Sequence, residues 1–261
     1  MKLFDSHCHL DDKQYNRDFK GVLKRAAAAG VKRMLTVGVS HKGSSRAVSI
    51  AESNSGVYAS VGVHPHYARQ CGAATMDFLI KLSENPKVKA WGEIGLDFNR
   101  MHSPREDQER WFIKQLEAAD GINLPTIFHE RDSQGRFLEI LKIKTPKARK
   151  GVVHCFSGND TELELYLGLG LCIGITGIIT MKQRGEELRR MIPKIPADRL
   201  VIETDAPYLT PVPEKNRTRR NEPAFVRSTF MKLAEIKNEH PEALADQLWQ
   251  NTCGLFNVDI G

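Results

Sequence analysis

Eight times along this 261-residue chain, a short run rich in Val and Ile is followed by a polar or glycine-containing turn and then an amphipathic stretch. The apolar runs lie near residues 3–7, 32–38, 57–63, 88–93, 124–129, 151–156, 171–175 and 199–204. Helical patterns fill the intervals, at 18–29, 42–53, 76–84, 104–120, 134–141, 160–169, 185–191 and 223–238. Strands separated by helices of this length predict a parallel sheet with crossover connections. Eight such units in this length suit one closed eight-stranded parallel TIM barrel better than an open doubly wound sheet. Residues 242–251 read as an extra C-terminal helix. With 41% hydrophobic residues the chain can bury a full core, and no linker, repeat or low-complexity stretch divides it, so residues 1–261 are expected to form a single domain. Ser103, Pro104 and Glu106 make a helix-start signal with Ser103 as N-cap.

Composition excludes several classes. Five cysteines, an odd number with no C-x-x-C, argue against a disulfide framework and against a thiolate zinc site. Strand-like sequence begins at Leu3, so no leader pattern opens the chain, and no run is long enough to span a membrane. A cytoplasmic protein without an obligate protein partner is expected. The net charge of +6 permits anionic partners without demanding them.

In a barrel of this kind the chemistry sits where the strands end. The first strand ends in His7-Cys8-His9, whose period-two alternation sends both imidazoles to one face and Cys8 away. The third runs into His64-Pro65-His66, the fourth ends at Glu93, the fifth at His129, the sixth at His154 and the eighth in Glu203-Thr204-Asp205. An isolated His-x-His has ordinary structural explanations. Here seven of the nine histidines (7, 9, 64, 66, 102, 129 and 154) fall at strand ends or in the loops after them, and only His41 and His240 lie outside. Glu203 and Asp205, two apart, are expected to face the barrel interior. Carboxylates in so apolar a strand are costly unless paired or bound to metal. For Glu93 the rival reading is a buried ion pair to an arginine. Mixed imidazole and carboxylate donors without thiolate suit Mg²⁺, Mn²⁺ or Zn²⁺.

These motifs, with Gly92-Glu93-Ile94-Gly95-Leu96-Asp97, Val153-His154-Cys155-Phe156-Ser157-Gly158, Glu203-Thr204-Asp205-Ala206-Pro207 and Arg220-Asn221-Glu222-Pro223, resemble those of the TatD family along the whole chain. The resemblance implies a metal-dependent deoxyribonuclease of the amidohydrolase-like superfamily, often a 3′–5′ exonuclease, with a role in DNA repair or degradation. It implies two divalent ions, Mg²⁺ ahead of Mn²⁺ or Zn²⁺, with a third ion as a further option. Carried over by position, His7, His9, Glu93 and Asp205 resemble the ligands of one ion, and Glu93, His129 and His154 those of the second. Glu203, His64 and His66 are left to a further ion or to the substrate phosphate. Asp205 is expected to accept the proton of the attacking water, with Glu93 shared between the ions.

The substrate expected is single-stranded DNA, with RNA as an alternative. Arg217, Arg219 and Arg220 follow the eighth strand, and Arg100, Arg131, Lys182 and Arg184 follow the fourth, fifth and seventh, all on the catalytic face. Guanidinium forks there suit phosphate, and Arg131 and Arg220 are the candidates taken for substrate binding. Tyr67, Phe98 and Tyr208 near the same rim are candidates for base stacking. The basic run Lys142, Lys144, Lys147, Arg149 and Lys150 precedes the sixth strand and reads as a solvated face away from the site. Cys8 and Cys155 read as core residues. Two rival functions remain: a metal-dependent ester or amide hydrolase, such as a D-aminoacyl-tRNA deacylase, and a nucleic-acid-binding or metal-buffering protein without turnover.

Overall fold

The computed structural model describes residues 1–144 and 149–260. Eight strands form one parallel sheet in sequence order: β1 (Leu3–Cys8), β2 (Val31–Thr36), β3 (Val57–Val61), β4 (Val88–Asp97), β5 (Thr126–Arg131), β6 (Gly151–Val153), β7 (Cys172–Ile175) and β8 (Leu200–Ile202). A parallel bridge between Cys8 and Ala206, with Asp205 N–H on His7 O at 2.9 Å and His9 N–H on Ala206 O at 2.7 Å, joins the last strand to the first. The sheet is thereby a barrel.

Helices follow the strands: α1 (Phe19–Ala28), α2 (His41–Ser53), α3 (Ala73–Leu82), α4 (Arg105–Ile122), α5 (Arg136–Lys144), α6 (Asp160–Gly168), α7 (Glu186–Met191) and α8 (Val226–Lys237). The expected extra helix is α9 (Pro241–Leu255). Period-two alternation divides the core into two layers. Outward residues such as Leu3, Val57, Val61, Phe128, Ile173 and Ile202 pack against the helices. Phe4, Leu35, Ala90, Ile127, Val152, Cys172 and Val201 form a second cluster, which Trp249, Cys253, Phe256 and Val258 of the C-terminal segment complete. We read that cluster as the filled barrel interior, with α9 and the tail as its floor.

Two expectations change. The Ser103 hydroxyl does not cap α4; it donates to His66 O at 2.9 Å and accepts from Arg69 N–H at 3.0 Å, so it ties the loop after β3 to the start of α4. The basic run is only partly a solvated face. Lys142 and Lys150 are exposed and Lys144 pairs with Glu117 at 3.2 Å, but Arg149 pairs with Asp120 and donates to Thr126 Oγ1 at 3.2 Å beneath the barrel. Lys147 lies outside the described residues.

Candidate metal centre

Register slips bring the donors together. Between Asp5 and Cys8, β1 advances three residues while its partner β2 advances two, from Met34 to Thr36. Such a bulge resets the alternation. Phe4 and Ser6 therefore serve the interior, and so do His7 and His9 above them: the Ser6 hydroxyl donates to Ile202 O at 3.0 Å, while the His7 and His9 Nε2 atoms face one another at 3.4 Å. A second slip in β4, between Trp91 and Ile94, frames Glu93. The strand then continues to Asp97, four residues past the expected end. Gly95, at φ +146°, is needed here because a Cβ would meet the His129 carbonyl.

Glu93 is the hub. Its Oε2 lies 3.4 Å from His7 Nε2, and its Oε1 lies 2.8 Å from His129 Nδ1 and 3.5 Å from His64 Nε2. No arginine pairs with it among the described residues, which removes the ion-pair alternative. Asp205 Oδ1 lies 3.3 Å from His9 Nε2, 3.8 Å from His7 Nε2 and 3.7 Å from His154 Nε2. Among the described residues, three groups of donors fall within 4.8 Å of one another: His7, His154 and Asp205; His7, His9 and Glu93; His64, Glu93 and His129. His154 thus groups with His7 and Asp205, and it is His64 that joins Glu93 and His129.

Glu203 supports this cluster from below, 2.9 Å from His154 Nδ1 and accepting from Cys155 N–H at 2.6 Å and Ser6 Oγ at 3.3 Å. Gly174 in β7 leaves room for it, since a Cβ there would lie 2.6 Å from the Glu203 carboxylate. Cys8 is buried as expected. Cys155 is half-buried against the core, and its amide serves the site.

Residues outside the expected set also matter. Asp97, buried in the β4 extension, accepts from His66 at 2.7 Å and lies 3.3 Å from His129 Nε2. Two buried glutamines of α4 hold the strand ends through both backbone groups. Gln108 pairs with Asp97 N–H and C=O at 2.8 and 3.1 Å, and Gln115 with those of Val63 at 2.7 and 2.9 Å. Asp5, also fully buried, accepts from the Thr204 hydroxyl at 2.6 Å and amide at 2.9 Å; burial, only partly opposed by these bonds, pushes its carboxyl up to about 8. Asn221 brackets Asp205, donating to Thr204 O at 2.9 Å and Tyr208 O at 2.6 Å.

Rim cations divide into two kinds. Arg220, a candidate for substrate phosphate, has its guanidinium engaged by Asp18 at 2.7 and 2.8 Å, Glu222 at 2.8 Å and the Gln14 carbonyl at 2.9 Å, and it lies over the Tyr15 ring. With Arg25 on Asp18 and Glu222, it braces the loop after β8 against α1. By contrast Arg131, Arg184, Arg217 and Arg219 form no ion pair among the described residues.

The electrostatics are those of a site built around cations. Burial disfavours charge on every group here, yet the charged partners win at several. Burial is outweighed at Glu93 by His64 and His7 and at Asp205 by His9, so both carboxyls fall below the usual range. His129 is raised to about 9 by Asp97 and Glu93, and His154 to about 10 by Glu203 and Glu93, both against burial. Burial and His129 push His64 down to about 3, and burial with His154 lowers His7. His7 and His154 stack at 3.4 Å between centroids; His7 Nδ1 is buried without a hydrogen-bond partner, and His154 Nδ1, 2.9 Å from Glu203, meets it as an ion-pair contact rather than an aligned hydrogen bond. Metal bonds of about 2.0–2.2 Å in a tetrahedral array put ligand atoms about 3.3–3.6 Å apart. The contacts of 3.3–3.5 Å among His7, His9, Glu93, Asp205 and His64 have that spacing. The donor set fits divalent metal.

Residues 4–257 match the TatD related DNase family. The chain belongs to that family. Among its relatives is the 3′-5′ ssDNA/RNA exonuclease TatD of Pantoea vagans (strain C9-1), 42% identical over 259 residues, which cover 98% of this chain and 100% of the relative. The enzyme of that name from Rahnella sp. (strain Y9602) is 43% identical over 257 residues, 97% of this chain and 98% of the relative. A solved TatD homologue from Escherichia coli K12 superposes with a TM-score of 0.88 at 32% identity, covering 98% of each chain. The barrel expected from the alternation is thus the TatD barrel.

Proposed function

We propose that this TatD-family protein hydrolyses phosphodiester bonds of single-stranded DNA or RNA from the 3′ end at a two-metal centre. The observation that carries the reading is Glu93, whose two oxygens face separate donor groups, His7 with His9 on one side and His64 with His129 on the other. A carboxylate shared in this way is what two neighbouring ions need. Supporting it are relatives of full length that carry the name of a 3′-5′ ssDNA/RNA exonuclease.

In this proposal His7, His9, Glu93 and Asp205, with His154 beside them, hold one ion, and Glu93, His64 and His129 hold the other. Asp97 orients His129 and His66 toward the second, and Glu203 orients His154. The donors are richer in imidazole than in carboxylate, which favours Mn²⁺ or Zn²⁺ and revises the preference for Mg²⁺, an ion that takes oxygen ligands. Bound ions supply Lewis acidity and bring the pKa of water near neutrality. Asp205 remains ionised against burial through His9 and His154, so its carboxylate offers a basic oxygen at the centre. That oxygen takes the proton of the attacking water. Arg131 and Arg184, without carboxylate partners among the described residues, hold the flanking phosphates.

Digestion of a 5′-labelled single-stranded oligonucleotide tests this, using metal-free protein and protein refilled with Mg²⁺, Mn²⁺ or Zn²⁺. A ladder shortening from the 3′ end, lost with chelator and in Asp205→Asn, is the expected result. An oligonucleotide left intact under all three metals, with an aminoacyl ester cleaved instead, would transfer the site to ester chemistry.

A further inference from the structure

Of 3 Trp, 5 Tyr and 11 Phe, only Tyr67 and Tyr208 are exposed, at 41% and 51%. Exposing the only two open rings among the Trp, Tyr and Phe side chains at one place needs a reason, because every other Trp, Tyr and Phe is at least half covered. Both stand at the mouth of the ligand cluster, one on each half. Tyr208 lies edge-on to His9 at 5.8 Å between centroids, and Tyr67 follows His66 directly, its N–H bonded to His64 O at 2.8 Å. Tyr208 is braced rather than loose. Its amide bonds to Asp205 O at 2.8 Å, its carbonyl accepts from buried Asn221, and its hydroxyl reaches Asp12 at 3.3 Å. Phe98, the third rim aromatic, is half-buried against the core with the Arg105 guanidinium over its ring at 4.4 Å.

We propose that Tyr67 and Tyr208 form a base-binding subsite that grips the unpaired 3′-terminal nucleobase of a single strand as its phosphodiester enters the metal centre. The proposal rests on the phosphodiesterase reading above. Every nucleobase has a π face, so stacking on fixed aromatic rings binds any base without reading sequence. A base held in a duplex has its faces covered and its edge paired, and it must be unstacked before it can reach the rings. The pair therefore makes the enzyme selective for frayed or single-stranded ends while leaving it indifferent to which base is there.

The test compares two 5′-labelled single strands, one with an ordinary 3′ nucleotide and one ending in an abasic tetrahydrofuran nucleotide. Metal-loaded full-length protein is assayed for release of the last nucleotide, and chelator-treated protein for binding by fluorescence anisotropy. Wild type is expected to favour the strand with a terminal base by about 10- to 100-fold in kcat/KM, the range that stacking of one base supplies. That ratio falls toward one in Tyr67→Ala and Tyr208→Ala and returns in Tyr208→Trp. Equal handling of the two strands by wild type, or a ratio that survives both alanine variants, overturns the subsite. Tyr67→Ala keeps the test valid should Tyr208→Ala fail to fold, since the Tyr67 phenol makes no hydrogen bond among the described residues. Failure to cleave either strand with any metal defeats the phosphodiesterase reading instead, and the anisotropy ratio then still decides the subsite.

Discussion

At Gly174 the absence of a side chain is what seats Glu203. A Cβ would lie within 2.6–2.8 Å of the Glu203 carboxylate, whose place is held by Cys155 N–H, Ser6 and His154. Gly174→Ala is expected to displace that carboxylate and release His154, lowering activity by about 10- to 100-fold, as loss of a ligand-orienting contact does. The crowding itself costs about 1–3 kcal/mol. Wild-type turnover in a folded Gly174→Ala protein would show that His154 needs no such support. The histidines and terminal carboxylates were legible in the sequence because each closes an apolar run. Asp97 was not, because a bulge lengthens β4 past the point where its apolar pattern stops. Arg220 was legible as a rim cation but not as a brace, since its partner Asp18 lies 202 positions earlier in the chain.

Elements position what residues contribute. On α4, Gln108 and Gln115 are seven apart and nearly fully buried, and each acts as a surrogate strand, pairing with one N–H and one C=O at the open ends of β4 and β3. Parallel strands of unequal length leave such backbone groups unpaired, and burying them unpaired costs about 1–3 kcal/mol apiece. Gln115→Leu keeps the volume and removes both bonds to Val63. It is expected to destabilise the fold by about 2–4 kcal/mol in urea titration and, by freeing the segment that carries His64, to weaken metal binding. Unchanged stability would mean that Val63 finds other partners. Sequence reading had no signal for this role, because a buried glutamine on an amphipathic helix looks like a misplaced surface residue. The same limit explains Ser103: its position before Pro104 fits an N-cap, but the nearby His66 carbonyl is a competing acceptor that only the fold supplies.

For the whole molecule, the barrel was visible as eight alternations, whereas the joining of β8 to β1 through one bridge and two hydrogen bonds was not, since no local pattern encodes it. That seam carries His7, His9 and Asp205, so the contacts that close the barrel are also the ones that bring these three side chains together. The site gathers five imidazoles and two carboxylates into the three donor groups. Without metal, His129 and His154 retain protons to about 9 and about 10 because Asp97, Glu93 and Glu203 overcome the effect of burial. Both values are raised above the ordinary 6.5. These protons therefore stabilise the metal-free fold fully below about pH 6.5, and that contribution is lost as pH rises through about 9–10. Metal must displace them, so the metal-bound form gains on the metal-free form as pH rises across this window. Chelation should thus lower the Tm more at about pH 8.5 than at about pH 6. At the higher pH, an ion present at about 100 times its Kd contributes about 2.7 kcal/mol, and about 2–4 °C per kcal/mol in a chain of this size puts the shift at roughly 5–10 °C. Scanning calorimetry of the metal-free and refilled protein at both pH values measures it. A shift of equal size at the two pH values, or larger in acid, would mean that the ion binds without displacing the imidazole protons, and the histidine cluster would lose its place as the metal centre.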